Sequence, residues 1–274
     1  MEDAKIRITW YGTASVRIAA GSSQILIDPF FPFPDSKIKV SPDAFADCSR
    51  ILISHGHFDH ISSIPAIVRP GTAIFCTKTP YQSLCRMGVS RKNLRMICPG
   101  DGFSAGAFRI TVLHGKHIRF SAWDILKALC SRRTVKYRKG IFAKLRVIAS
   151  CLEKRESLCY LVEVGGRQIL ILGSLGLFPD TAYPKHADLV LFPYQGSRKL
   201  CAVASGIYRQ LKPKAVLLTH FDDTFPPFSA EIDTSDIEQY LQNRAAVHKL
   251  QHGGTLELSP AVLPTSNEKS GGRS

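Results

Sequence analysis

Residues Leu52–His60 read LISHGHFDH, and they set three histidines and an aspartate within six residues at the end of an apolar run. The chain has nine histidines in 274 residues, so a third of them stand in this one loop. His55 and His57, two residues apart, can converge on one ion, which turns Asp59 and His60 toward a neighbouring position. Imidazole and carboxylate together suit Zn²⁺, Mn²⁺ or Fe²⁺. Gly56, with no side chain, leaves the backbone room among packed ligands. A solvent-exposed polar loop would not concentrate ligand-grade side chains at four of six positions.

Outward from this loop, the chain alternates apolar strands with turns and short helices. KIRITW (5–10) alternates polar and apolar residues, as a half-buried strand does. ASVRIA and QILID follow as strands, with Gly21, Ser22 and Ser23 as the turn, and RILIS (50–54) runs straight into the histidines. ISSIPAIVRPG reads as a short helix and TAIFC as a strand. TPYQSLCRMG reads as a helix with Thr79 as its cap, Pro80 at its first position and Gly88 at its end. FRITVL (108–113) is a strand that ends in His114-Gly115-Lys116-His117. Helical patches are expected at 121–130 and 140–152. LCYLVEV and RQILIL form strands joined by Gly165-Gly166, a two-residue hairpin signal. DLVLF and KAVLLT are further apolar strands around a helix at 198–211; DTSDIEQYLQNR is a helix capped by Asp or Thr, and TLELS a last strand. Many strands before the first long helix, with no repeat and no linker, indicate one α/β domain with a substantial β-core over residues 1–263. The polar, Gly/Ser-rich residues 264–274 are expected to be a disordered tail.

The His-x-His-x-Asp-His run resembles the metal-binding signature of the metallo-β-lactamase fold superfamily. The opening, ITWYGTASVRI followed by QILIDPFF, resembles the branch that contains L-ascorbate-6-phosphate lactonase and related metal-dependent hydrolases. The resemblance implies a four-layer αββα sandwich of two packed mixed sheets with helices outside, and one or two metal ions in loops at one edge. It implies a third histidine ligand a few residues beyond the mid-chain strand, which favours His117 and leaves His114 beside the site or purely structural. It implies a last ligand, His220, after KAVLLT, and a place for Asp28 near the metals, accepting a hydrogen bond from a ligand imidazole. His55, His57 and His117 are thus expected around the principal metal, with Asp59, His60 and His220 around a second. One position departs: where the family carries a bridging aspartate after RQILIL, this chain has Ser174. A hydroxyl brings no charge to offset a second dication, so the second ion should bind weakly unless Asp222 or Asp223 compensates. His186, His248 and His252 have no companion ligands in the sequence and read as structural or surface residues.

Three neutral histidines leave a bound cation open to water, and a cation lowers the pKa of water from 15.7 to about 7. Asp59 is the candidate catalytic group, to orient that water or accept its proton. No Gly-x-Ser-x-Gly elbow or Cys/His nucleophile signature competes with it. The first expectation is therefore a hydrolase of a small, anionic ester, lactone or phosphorylated substrate. The chain is basic, with 36 Lys+Arg against 22 Asp+Glu, and residues 118–157 hold eleven basic and three acidic residues, +8 of the net +14. That segment is expected to cover the metal-site edge and draw in anions. It also raises a second expectation, a nuclease of the same fold, although only four aromatic residues interleave with its charges. Ser174 raises a third, a non-catalytic metal-binding protein. Eight scattered cysteines, never as Cys-x-x-Cys, read as reduced small hydrophobes. No apolar run approaches the ~18 residues of a membrane span. The polar start MEDAK is unlike a secretory leader, so a cytoplasmic location is expected. Homo-oligomerisation stays open.

Overall fold

Ile6, Ile8 and Trp10 are fully buried while the residues between them are exposed or half-buried, and this alternation fixes the first strand, β1 (Ile6–Gly12), with one face on the core. The computed structural model describes residues 5–118, 132–137, 139–151, 156–197 and 199–261. β2 (Ser15–Ala20), β3 (Ser23–Ile27), β4 (Arg50–Leu52), β5 (Ala73–Cys76), β6 (Leu94–Met96) and β14 (Thr255–Leu258) complete the first sheet, in the order β14-β1-β2-β3-β4-β5-β6. β14 through β3 pair antiparallel, and β3 through β6 pair parallel. The second sheet repeats this plan with β7 (Gly102–Ala105), β8 (Phe108–Gly115), β9 (Ser157–Val164), β10 (Arg167–Leu172), β11 (Leu189–Pro193), β12 (Ala215–Thr219) and β13 (Ala246–His248). There β7 through β10 are antiparallel and β10 through β13 parallel. Every residue of β11 and β12 is buried, as parallel strands covered on both faces require.

One apolar cluster joins the facing sides of the sheets, with Ile8, Trp10, Ile18 and Leu52 from the first and Ile110, Tyr160, Val162 and Ile171 from the second. On the outer side of the first sheet Leu26, Ile51 and Ile74 meet Ile61, Ile64, Ile67 and Leu84 from α1 (Phe58–Ile61), α2 (Ile64–Ile67) and α3 (Lys78–Arg86). Ala204, Ile207 and Leu211 of α6 (Leu200–Leu211) and Ile237 and Leu241 of α7 (Ser235–Leu241) join the core from the second sheet's side. The result is the αββα sandwich. Among the described residues of the basic segment, α4 (Arg132–Lys136) and α5 (Ile141–Ser150) are helical, and α5 lies against α1. The helical patch expected at 121–130 and the tail at 264–274 lie outside the described residues.

Several sequence expectations shift in detail. α3 begins at Lys78 with Thr77 as its cap, and Pro80 sits within the first turn, where its missing N–H is not needed. The expected helix in ISSIPAIVRPG divides into the end of α1 and the single-turn α2. β6, β7 and β13, three or four residues each and near sheet edges, carried no visible periodicity. Gly165 and Gly166 both have positive φ, 54° and 70°, which is the two-residue turn that β9 and β10 need. The seven described cysteines are free thiols, although Cys98 is exposed rather than packed. No helix among the described residues is long and apolar enough to cross a membrane.

Candidate metal centre

β3, β4, β10 and β12 all end at the same edge of the sandwich, and the carboxyl ends of parallel strands are where open α/β sheets bind ligands. The loop after β4 carries His55 and His57 and leads into α1, which carries Asp59 and His60; the loop after β8 carries His117, and His220 directly follows β12. These six side chains form two groups, His55–His57–His117 and Asp59–His60–His220, with the donor atoms of each group within 4.8 Å of one another.

The spacing within the groups is close to that of a coordination shell. His57 Nδ1 lies 3.0 Å from His55 Nε2 and 3.4 Å from His117 Nε2. Asp59 Oδ2 lies 3.1 Å from His220 Nε2 and 3.6 Å from His60 Nε2. Ligand atoms ~2.0–2.1 Å from a tetrahedral ion stand about 3.3–3.4 Å apart. Burial holds the imidazole of His55 well below its ordinary pKa, and the neighbouring His60, His57 and His117 push it the same way. Burial likewise lowers His57 to about 4, against the opposing pull of Asp59. Both rings are therefore neutral at pH 7, with lone pairs to offer. Burial alone would raise the pKa of Asp59, but His60 and the hydrogen bond from His220 outweigh it and keep the carboxylate ionised. His220 Nδ1 is buried with no hydrogen-bond partner, a cost seldom carried without a use. Neutral imidazoles, one ionised carboxylate and this spacing all fit divalent cations.

A second layer fixes how these groups point. Asp28, 1% exposed, accepts from Ser54 N at 2.7 Å and from Ser54 Oγ at 2.6 Å, and its Oδ2 lies 2.9 Å from His60 Nδ1. Ser54 Oγ also lies 3.0 Å from His55 Nδ1. One buried carboxylate and one hydroxyl thus hold the Nδ1 sides of both rings, leaving Nε2 of each facing the clusters. Asp28 holds this place at a φ of 44°, a left-handed conformation that asparagine and aspartate tolerate better than most residues. Gly173 crosses behind Ser54: a Cβ there would lie 2.3 Å from Leu158 O and 2.6 Å from Ser54 Cβ.

His220 is placed by the β1–β2 turn. The buried Trp10 indole donates to Thr13 O at 2.8 Å, and Thr13 O also accepts from His220 N at 2.9 Å. Asp222 accepts from Thr13 N at 3.1 and 3.0 Å and meets His252 Nε2 at 2.9 Å, while the His252 ring stacks on Trp10 at 4.7 Å. His252 therefore has a companion after all, as a brace for this turn. A carboxylate thirty residues away left no local trace of that partnership in the sequence.

The structure brings the remaining candidates elsewhere. His114 is exposed on β8, its ring edge-on to Phe178 at 6.1 Å, away from both clusters. Ser174 Oγ accepts from Ile118 N at 3.2 Å, so it anchors the chain just after His117. The compensation expected of Asp222 or Asp223 is not what their geometry provides. Asp222 is committed to Thr13 and His252, and Asp223 accepts from Arg133 Nη2 at 2.6 Å and Ser229 Oγ at 2.8 Å. Phe30, Phe33, Phe58 and Phe225 pack as a wall beside the centre, with ring centroids 5.1–6.5 Å apart and Phe225 6.3 Å from His220. On the other side of His117 a cavity of about 610 Å³ is lined by Ile118, Leu175, Leu177, Val203 and Ile207, with Lys116 among its polar groups.

Comparison with known proteins places this geometry. Residues 7–220 match the family model of the beta-lactamase superfamily domain. A UPF0173 metal-dependent hydrolase of Methylobacterium nodulans is 35% identical over 118 residues, 41% of this chain and 48% of that protein, so the match spans about half of that relative. Another protein of the same description, from Ligilactobacillus salivarius, is 23% identical over 89% of this chain and 98% of its own. Among solved structures, the metallo hydrolase Igni18 of Ignicoccus hospitalis superposes with a TM-score of 0.63 at 19% identity, over 93% of this chain and 99% of its own. Zn²⁺-bound PqqB of Methylobacterium extorquens superposes with a TM-score of 0.56 at 14% identity, over 89% and 87%. With the family model covering most of its length and the sheets in the matching arrangement, the chain belongs to the beta-lactamase superfamily domain family and has the metallo-β-lactamase fold.

Proposed function

We propose that this protein is a metal-dependent hydrolase acting on a small, anionic substrate with an ester, lactone or phosphoryl bond. The observation that carries the reading is the convergence of six donor side chains from three separate segments of the chain into two groups at one sheet edge. His55, His57 and His117 would hold the principal ion, and Asp59, His60 and His220 a second. The donor set suits zinc first, with manganese or iron as alternatives. A cation bound there would supply a water of lowered pKa, about 7, and would polarise the bond to be cut.

The chain's own groups do the rest. Asp59, kept ionised, would orient the attacking water. Asp28 and Ser54 hold His55 and His60 in the tautomer that faces inward. The phenylalanine wall excludes bulk water on one side, which strengthens every charge interaction within the centre. The cavity beside His117 has the size of a small-molecule pocket, and Lys116 there favours an anionic substrate. A cytoplasmic location suits the free thiols.

The same site supports a second reading, a one-ion or non-catalytic metal protein, because Asp59 is the sole carboxylate in the two groups and Ser174 supplies none. Metal analysis of the purified protein, followed by ester, lactone and phosphodiester substrates with and without chelator, separates the two. Chelator-sensitive turnover that disappears in His55→Ala supports the hydrolase. Bound metal with no turnover across the panel favours the second reading.

A further inference from the structure

α5 is built inside out. Its one charged residue on the protein side, Lys144, is buried, with Nζ 2.6 Å from Asp35 Oδ2 and 2.9 Å from Pro226 O, and 5.8 Å from the Phe33 ring. Two of its large apolar residues go the other way, with Phe142 84% exposed and Leu145 36%, while Ile141, Val147 and Ile148 are half-buried. Val135, on the adjoining α4, is 67% exposed. Only five large hydrophobic side chains are exposed among the described residues, and three of them fall in these eleven positions. Nor is the segment loosely attached, for Arg133 pairs with Asp223 at 2.6 Å and reaches Ser229 O at 3.0 Å. Two cations thus pin the helices down while the apolar side chains are held out to solvent.

The segment's own charge has one sign, the acidic partners Asp35 and Asp223 being paired with Lys144 and Arg133. Residues 131–151 contain seven Lys and Arg and no Asp or Glu. Lys144 and Arg133 are used inward, whereas Lys136, Lys139 and Arg146 are exposed beside the apolar tips. We infer that α4 and α5 form a docking surface for an anionic lipid bilayer, with Phe142, Leu145 and Val135 entering the headgroup region and the three cations meeting lipid phosphates. A second copy of the chain fits poorly, because a two-fold contact would set this cationic patch against itself. A nucleic acid would meet the cations but would leave Val135 and Leu145 in water. Since α5 lies directly against α1, docking would bring the metal centre to within about one helix diameter, ~10 Å, of the lipid surface. The inference rests on this surface alone and stands whether or not the centre is hydrolytic.

Flotation of the full-length protein with vesicles tests it, using phosphatidylcholine alone and with about a third phosphatidylglycerol. Binding is expected only with the anionic vesicles, weakening as salt rises. Lys136→Gln/Lys139→Gln/Arg146→Gln should lower the partition coefficient about a hundredfold or more. Phe142→Asp should lower it at least about tenfold, while the melting temperature and metal content of both variants stay those of the parent, since these side chains are exposed. Equal, weak binding to both vesicle types would overturn the inference. So would a dimer dissociated by Phe142→Asp without vesicle binding, or RNA binding indifferent to that change.

Discussion

Asp28→Asn changes one atom in a side chain that touches no substrate, yet it should disable one half of the centre. The carboxylate is 1% exposed and serves three partners: Ser54 N at 2.7 Å, Ser54 Oγ at 2.6 Å and His60 Nδ1 at 2.9 Å. Asparagine can still accept from Ser54 N, but its amide group now faces both the hydroxyl and the imidazole as a donor. His60 Nδ1 must then accept, which moves the ring proton to Nε2, the atom 3.6 Å from Asp59 Oδ2. Exchanging charge-assisted bonds for neutral ones costs about 1–3 kcal/mol of stability. The wrong tautomer should lower affinity at the Asp59–His60–His220 position about 10–100-fold, with a smaller loss at His55–His57–His117, where Ser54 Oγ still meets His55 Nδ1 at 3.0 Å. Competition of zinc against a chromophoric chelator resolves the two affinities, and a urea melt of metal-free protein gives the stability. Parent-like affinity at the second position, or a loss confined to the first, would refute the role given to Asp28.

Five further outcomes concern the same centre and its supports. Ser174→Asp should tighten the second ion about tenfold or more if its carboxylate reaches the donor groups instead of accepting from Ile118 N, read as metals per chain at stoichiometric supply. Asp223→Ala should leave that stoichiometry unchanged, whereas Asp222→Ala should lower stability by about 1–3 kcal/mol because Thr13 N and His252 lose their acceptor. Gly173→Ala should destabilise by about 1–3 kcal/mol and weaken metal binding together, since the new methyl meets Leu158 O and Ser54. Metal-free protein should lose stability on acidification, as burial lowers His57 to about 4 in the folded chain against ~6.5 unfolded. The contribution is complete above about pH 6.5 and is lost between there and pH 4, about 3 kcal/mol from His57, with His55 acting in the same direction; urea melts at pH 7, 5.5 and 4.5 read it directly.

The His-x-His-x-Asp-His loop was legible because its ligands are adjacent in sequence and follow an apolar strand, so neither spacing nor context depends on the rest of the fold. His117 and His220 were legible only through resemblance, since a lone histidine after a strand has many uses. The groups that orient the ligands were the hardest to see. Ser54 looks like any serine at a strand end, and its hold on His55 depends on a carboxylate twenty-six residues earlier. The His252–Asp222 brace likewise spans thirty residues and becomes visible only once β14 has paired with β1. The short strands β6, β7 and β13 owe their form to their neighbours in the sheets more than to their own pattern. α5 reversed the usual rule outright, with a lysine inward and a phenylalanine outward, which no periodicity argument anticipates.

Diffraction from zinc-soaked crystals, measured on both sides of the zinc absorption edge, tests the two-group metal centre most directly. One strong anomalous peak is expected ~2.0–2.1 Å from His55 Nε2, His57 Nδ1 and His117 Nε2, with a weaker peak among Asp59, His60 and His220. A peak bound through His114, or no peak at either group while zinc sits elsewhere on the protein, would contradict it.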